Sequence, residues 1–481
     1  MRLLYFVYDL LWSDLFSIPL PGGSQLGISL LVLLLVPAGL WLTFRSRFVQ
    51  VRLFGEMLRI ATRDQTKGKD GHISGFQALV ISTATRVGMG NLVGVVAAIS
   101  LGGAGAVFWM WVSALIGSAT AFVEATLAQI YQEKDPLYGG MRGGPAYYIH
   151  HYAARKRGKD PKKMRWSILA VLFAISGLIC WSGISQVVGN SVSSAMFNAF
   201  HIPPLYTAIA LVGICAVIVL RKNATVKVLD VMVPIMAGCF FAGTVIVMVM
   251  NFDQIPRVLN LIVEEAFGMR QAVAGGIGAV IMNGVKRGLF SNEAGSGSAP
   301  CAAAAAKVDH PAKEGLLQAF GVFVDTMVIC SCSAMLMLLA PAETIQGLEG
   351  MDLLQAAMFH HFGTFGVVFI AITLLLFSLS TFIGILFYAR GNVAYLFGDR
   401  WCWQTAYKVL ALAMLFVGCL AAYTFVWDLG DVGVGLMTVF NLLALIPMAG
   451  EAMDSLKDYE AKLKVRKAEK AEARARARKA A

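Results

Sequence analysis

Eleven apolar stretches, each long enough to cross a hydrocarbon layer of ~30 Å as a helix, constrain this chain more than any other feature: residues 25–44, 77–101, 105–130, 167–195, 205–220, 229–250, 271–304, 314–340, 364–389, 405–427 and 432–450. In lipid, backbone N–H and C=O groups must find partners within the chain, which leaves helices and closed barrels. The period-2 alternation of barrel strands is absent. The expected fold class is an all-α polytopic membrane protein with about 11 transmembrane helices. Composition agrees: 58% of the residues are apolar and only 14% charged. The formal charge of +11 would suit nucleic acid only if the basic residues shared one folded surface. They lie between the apolar runs instead, so the expected partners are the bilayer and a small molecule, with no nucleic acid and no obligate protein partner evident.

Loop charge sets an orientation. Segments 45–76, 131–166, 221–228, 305–313, 390–404 and 451–481 hold most of the Lys and Arg, including Arg45, Arg47, Arg52, Arg59, Arg155 and Lys163. The alternate loops carry Arg2, Arg257 and Arg270 and show acids such as Glu264, Glu265, Glu343, Glu349, Asp428 and Asp431. The positive-inside rule then puts the N-terminus outside and the C-terminus in the cytoplasm. The opening MRLLYFVYDLLWSDLF has one Arg, an interrupted apolar run and no small-residue cleavage site, and reads as an interfacial amphipathic helix. The Ala-rich, mixed-charge tail reads as a solvated or membrane-surface helix, or else as a docking site for anionic lipid or a regulator.

Neither the eight cysteines nor the seven histidines follow a metal-ligand or disulfide spacing. GSGS at 295–298 lacks the Lys of a phosphate loop, and no nucleophile has a base beside it. What remains is polar material buried in the spans. ATRVGMGNLVG (84–94) puts three glycines, an Arg and an Asn into the second span, and KRGLFSNEAGSGSAP (286–300) does the same in the seventh. The two lie five spans apart in the order. If the first span is an addition, the other ten form two sets of five, each opening with an interrupted helix, and an odd repeat length inverts the second set. Paired broken helices of this kind build substrate sites near the bilayer midplane in inverted-repeat transporters. A break exposes backbone groups that lipid cannot satisfy, so it must face a cavity or ligand; helix N-termini there suit a carboxylate and helix C-termini a cation. Close packing of helices through small residues is the competing explanation for each cluster. The domain division expected is 1–76 (interfacial segment, extra helix, basic loop), 77–250 (first repeat), 251–450 (second repeat) and 451–481 (basic tail).

The phrases VGMGNLVGVVAAISLGGAGAVFWMW (87–111), GGPAYYI (143–149), NGVKRGLFSNEAGSGSAPCAAAAA (283–306) and FSLSTFIGILFY (377–388) closely resemble the alanine or glycine:cation symporter family over nearly the whole chain. The resemblance implies a five-plus-five inverted-repeat fold of the LeuT type, preceded by one extra helix, and sodium-coupled uptake of a small neutral amino acid in a prokaryotic inner membrane. The family's G-x-G-N run matches Gly88, Gly90 and Asn91; its S-N-E-A-G run matches Ser291, Asn292, Glu293, Ala294 and Gly295. By this resemblance Asn91, Asn292 and nearby backbone amides, with Gly295 and Ser296 shaping the turn, hold the cargo's carboxylate and amine. It also implies a sodium site of the carbonyls of Ala84, Val87 and Phe377 and the hydroxyls of Ser380 and Thr381. Five hard oxygens suit an alkali cation. Hydroxyls bonding back to carbonyls one turn earlier are the alternative for Ser380 and Thr381.

Two departures from the family pattern bear on cargo. Ile385 follows Gly384 where many members carry Trp, and WSGISQVVGNSV (181–192) matches the pocket wall poorly, with Trp181, Gln186 and Asn190 the nearest candidates. A larger cargo such as glutamine is therefore in play. Glu124 and Asp325 fall in corresponding helices of the two repeats. An acid at the bilayer centre costs about 2.5–3.5 kcal/mol on insertion scales, so both are expected to pair with some of Arg86, Lys286 and Arg287, with snorkelling charges or a proton relay at Glu124 as alternatives. Proton-coupled symport, a channel and an intramembrane enzyme are the competing functions. A channel needs a filter ring, and an enzyme a nucleophile with its base.

Overall fold

The computed structural model describes residues 2–19, 25–63, 73–74, 77, 79–81, 83, 86–221, 224–269 and 276–480. Helix α1 (Arg2–Trp12) leads into an antiparallel hairpin, β1 (Asp14–Pro19) with β2 (Gln25–Ser29). Ser29 then caps α2 (Leu30–Arg45), its Oγ accepting the Val32 N–H at 3.3 Å. The hairpin was not apparent in the hydropathy pattern. After α3 (Phe54–Arg63) the chain enters a π-helical segment, Arg86–Gly94, continued by α4 (Val95–Gly102).

Long helices follow: α5 (Gly105–Ile130), the short α6 (Pro145–Lys156), α7 (Ile168–Phe200), α8 (Pro204–Val219), α9 (Ala224–Met250) and α10 (Ile255–Ala266). The second series is α11 (Gly276–Asn292), α12 (Pro311–Val322, continued through a π-helical stretch Phe323–Cys330 to Leu338), α13 (Gly350–Phe362), α14 (Thr364–Phe397), α15 (Trp401–Leu420) and α16 (Tyr423–Ala480). Among the described residues, seven helices are long and apolar enough to cross a membrane, and α2, Gly88–Gly102 and α8 are shorter apolar helices. His150 and His151 are inside α6, and His360 and His361 inside α13.

The boundary expected at 428–431 is wrong. The chain breaks at Ala421, which is extended, and α16 runs unbroken through Asp428 and Asp431. DLGD looks like a loop, but Asp431 is buried and meets cations from α11. The 271–304 run is also not one helix, because α11 stops at Asn292 and only a single turn, Pro300–Ala303, follows; residues 270–275 lie outside the described residues.

Small residues let the helices cross closely, as expected where lipid gives no hydrophobic drive for helix association. A Cβ on Gly418 of α15 would lie 2.2 Å from the Gln186 carbonyl of α7, and one on Gly315 of α12 would lie 2.7 Å from the Phe122 carbonyl of α5. The result is a centre in which α5 packs on α12, and α7 packs on α14, α15 and α16. The polar end of α16 docks on α3: Glu56 accepts from Tyr459 Oη (2.6 Å), Arg59 Nε (2.8 Å) and Arg466 (3.3 Å). Burial raises the Glu56 pKa, but these hydrogen bonds and charges outweigh it and hold the carboxyl below its ordinary value. Its stabilising contribution is present at neutral pH and is lost as the pH falls through that lowered value.

Candidate functional site

The second glycine-rich run interrupts its helix as expected, whereas the described residues of the first wind without interruption as the π-helix Arg86–Gly94 into α4, so its irregularity is a wider helical turn rather than a gap. The two irregular segments, the first and second breaks of the sequence reading, touch. In the first, Gly88 lies against α14 so tightly that a Cβ there would be 2.1 Å from Thr381 Oγ1 and 3.6 Å from the Phe377 carbonyl. The Met89 N–H donates to Thr381 Oγ1 at 3.1 Å. Gly90 faces the second run, where its Cβ would be 3.4 Å from Ser291 Cα. In the second, the helix ends as Glu293 adopts φ 55°, with Gly295 and Gly297 at φ 98° and 82°. A left-handed non-glycine residue costs about 1–3 kcal/mol and persists only when its surroundings enforce it. Local bonds hold the turn: Ala294 N–H to Asn292 Oδ1 at 3.0 Å, and Ser296 Oγ to the Glu293 carbonyl at 2.8 Å.

Two buried acids tie the breaks to the scaffold. Asp325 accepts from Asn91 Nδ2 (2.7 Å) on the first break, Ser291 Oγ (3.0 Å) on the second, and Thr326 Oγ1 (2.8 Å). Glu124 accepts the Gly295 N–H at 3.2 Å and also Asn441 Nδ2; Asn441 Nδ2 reaches the Gly295 carbonyl at 2.9 Å, and Tyr148 Oη donates to Asn441 Oδ1. The expected partnership with α11 cations takes a different form. Lys286 Nζ (2.7 Å) and Arg287 (3.0 and 3.2 Å) both close on Asp431. Loop charge assigned Asp431 to solvent, whereas two adjacent buried cations on α11 required an acid opposite them. Ala84 lies outside the described residues, and only the backbone of Arg86 and Val87 is described.

The other candidates divide. Phe377, Thr381, Ile385 and Tyr388 recur at three- and four-residue spacing along α14 and so share its face toward the breaks. Ser380 Oγ donates to the Phe377 carbonyl at 2.8 Å, the back-bonding alternative raised by the sequence. Trp181, 1% exposed, sits 6.0 Å from the Tyr388 ring, and Tyr388 Oη donates to Glu293 Oε2 at 3.4 Å. Trp181 Nε1 is a buried donor with no partner among the described residues, which a cargo acceptor would satisfy. Gln186 and Asn190 turn the other way, Gln186 Nε2 to Met414 Sδ (3.1 Å) and Asn190 Nδ2 to the Ala421 carbonyl (2.8 Å). Asn292 lines a cavity of about 20 Å³ with Leu35, Gly117 and Thr120, water-sized rather than amino-acid-sized. Its contacts on this side serve the turn. Glu293, matched to the family run but given no role from sequence, and Tyr388 meet beside Trp181. The acid inside SNEAG was the available signal, and its left-handed backbone was not legible.

One polar cleft of about 280 Å³ approaches the breaks, lined by Val93, Asn190, Ser191, Ser194, Glu349, Asp352 and Tyr423 among others. Next to Tyr423 of this cleft (ring centroids 6.1 Å apart), Trp427 packs obliquely on Phe290 (4.8 Å, planes at 48°), and the Arg287 guanidinium covers the Trp427 ring at 4.4 Å.

Comparison with known proteins decides the family. The profile described as the sodium:alanine symporter family matches residues 23–473. The chain belongs to this sodium:alanine symporter family. The family member named probable sodium/glutamine symporter GlnT, from Bacillus subtilis, is 41% identical over 94% of this chain and 89% of its own. The sodium/alanine symporter AgcS of Methanococcus maripaludis is 35% identical over 89% and 94%. The crystal structure of MhsT with L-phenylalanine aligns with TM-score 0.56 at 12% identity over 80% of this chain and 98% of the other, a likeness of fold. As a member of the sodium:alanine symporter family, this protein is a multi-pass membrane transporter that moves amino acid with sodium as a co-transported ion; it is not an enzyme.

Because Glu124 anchors Gly295 but lies apart from the Gly88–Thr381 contact, Glu124→Ala is expected to lower maximal uptake about tenfold or more with little change in sodium half-saturation. Initial rates in proteoliposomes across a sodium titration check this.

Proposed function

We propose that the chain imports a neutral amino acid by sodium-coupled symport with alternating access, the cargo lying between the two breaks, Trp181 and the α14 face of Ile385 and Tyr388. The observation that carries the reading is the junction at Gly88: the first break meets Phe377 and Thr381 of α14 on one side and Ser291 of the second break on the other. Backbone amides at the breaks offer a carboxylate their N–H groups. Carbonyls of Ala84, Val87 and Phe377 with the hydroxyls of Ser380 and Thr381 offer sodium an all-oxygen shell.

The element order supports a five-plus-five inverted repeat. Each series opens on an irregular glycine-rich segment (π-helical in the first, interrupted after Asn292 in the second), continues with a helix bearing a buried acid (α5 with Glu124, α12 with Asp325), then a short helix (α6, α13) and a helix of 33 or 34 residues (α7, α14). With α2 as the extra span, this favours eleven crossings, repeats at 77–250 and 251–450, an outside N-terminus and a cytoplasmic C-terminus. Ile385 leaves room for a cargo beyond alanine and glycine, and the 41% identity to a relative named for glutamine makes glutamine the first to test.

The test is uptake of labelled alanine, glycine and glutamine into proteoliposomes with and without an imposed sodium gradient. Uptake that ignores the gradient, or that follows a pH gradient in sodium-free buffer, overturns sodium coupling. Thr381→Val, which keeps the volume and removes the hydroxyl, is expected to raise the sodium concentration for half-maximal uptake about tenfold, or ~1.4 kcal/mol. An unaltered titration would return Thr381 to a packing role.

A further inference from the structure

The N-terminal helix is built into the interior at one point. Trp12 is 5% exposed, and its indole N–H donates to the Asp431 carbonyl at 3.1 Å. Lys286 Nζ donates to Tyr8 Oη at 2.7 Å and lies over the rings of Tyr8 (4.5 Å) and Trp12 (5.0 Å). Leu11 packs on Gly435, whose Cβ would lie 3.0 Å from it. Lys286 and Arg287 share Asp431, and Arg287 covers Trp427, whose ring packs obliquely on Phe290 and lies 6.1 Å from Tyr423 of the polar cleft.

We propose that α1 is the latch of the gate on this face, holding the Lys286–Asp431–Arg287 bridge and through it the Trp427–Phe290 plug in the closed position. The inference rests on the reading that cargo passes through the cleft. The physical reason is that Asp431 belongs to α16 and both cations to the break-bearing α11, so the path widens at the plug only if these helices part. Parting them strips two buried cations of their acid, which is costly in a low-dielectric setting. Tyr8 and Trp12 raise that cost: aromatic faces and a phenol oxygen stabilise Lys286 where it stands, and the indole N–H fixes the Asp431 backbone. An interfacial helix with no such role would need neither contact.

The reporter is Val187→Cys. Val187 is fully buried, and its Cγ2 and Phe290 Cε2 are each 3.8 Å from the position of a Cβ on Gly430, which places it at the plug. In a background with the exposed Cys239 and Cys402 replaced by Ser, labelling by a membrane-impermeant thiol reagent added on the α1 side is followed in proteoliposomes. Tyr8→Phe with Trp12→Phe keeps an aromatic ring at both positions, a smaller one at 12, and removes the two polar contacts; it is expected to speed labelling at least fivefold. Asp431→Asn is expected to speed it further. Faster labelling in Asp431→Asn but not in the Tyr8/Trp12 variant would overturn the latch while leaving the gate. Unchanged labelling in both would overturn the latch and the route through the cleft together, leaving sodium coupling to be judged by the uptake assay. If Asp431→Asn does not fold, the double Phe variant alone decides the latch.

Discussion

Asp325→Ala is expected to bring sodium-driven uptake below about one tenth and to destabilise the protein by about 3–5 kcal/mol, as for other buried charges removed from their donors. The size follows from position. The Asp325 carboxylate is fully buried and receives Asn91 from the first break, Ser291 from the second, and Thr326 of its own helix. Alanine takes the carboxylate acceptor away from the buried Ser291 hydroxyl, which keeps only Cys330 Sγ at 3.1 Å, and from one Asn91 N–H. It also removes a direct link between the two breaks. Asp325→Asn keeps one oxygen acceptor and should fall between wild type and alanine in both readouts. Thermal melting followed by size-exclusion fluorescence measures the first effect and proteoliposome uptake the second. Wild-type melting and uptake in Asp325→Ala would show that the breaks are held in register by other contacts.

Gly88→Ala should affect sodium more than any other single methyl group added to the protein. A Cβ 2.1 Å from Thr381 Oγ1 cannot be tolerated, so either the first break moves away from α14 or the hydroxyl rotates and abandons the Met89 N–H. Both outcomes spoil the proposed oxygen shell, and half-saturation for sodium is expected to rise at least thirtyfold, about 2 kcal/mol. The account also predicts a partial reversal: Gly88→Ala combined with Thr381→Ala regains packing room, so melting temperature and expression recover although sodium affinity does not. If the double variant melts no higher than Gly88→Ala alone, the collision with Thr381 is not the cause.

Hydropathy and glycine content carried much of this in advance, for reasons that can be named. Runs such as 105–130 end where the observed helix ends, because long apolar segments have one structural solution in lipid. Both irregular segments fell on the predicted glycine clusters, because Gly295 and Gly297 need backbone angles that other residues avoid and Gly88 needs the absence of a side chain. Pairing was poorly legible. Glu124 and Asp325 were expected to pair with some of Arg86, Lys286 and Arg287, since nothing in a sequence gives the rotation of one helix against another; the Arg86 side chain lies outside the described residues, and the described bridge of Lys286 and Arg287 is to Asp431, whose DLGD context imitates a loop. Gln186 was a pocket candidate because 181–192 was compared with the family's pocket wall, yet five residues past Trp181 the helix has turned it by roughly 140° to face Met414. The β1–β2 hairpin was hidden in the same way, as a short element between two apolar helices.

The helix that carries Asp431 continues without a break to the residues gripping Glu56. From Asp431 to Arg466 it spans roughly 50 Å at about 1.5 Å per residue. A tilt of about 5° at the buried end therefore becomes a sweep of roughly 4–5 Å at the other. Like the needle of a balance, the tail turns a small rearrangement deep in the bilayer into a movement large enough for a fluorophore to follow in water.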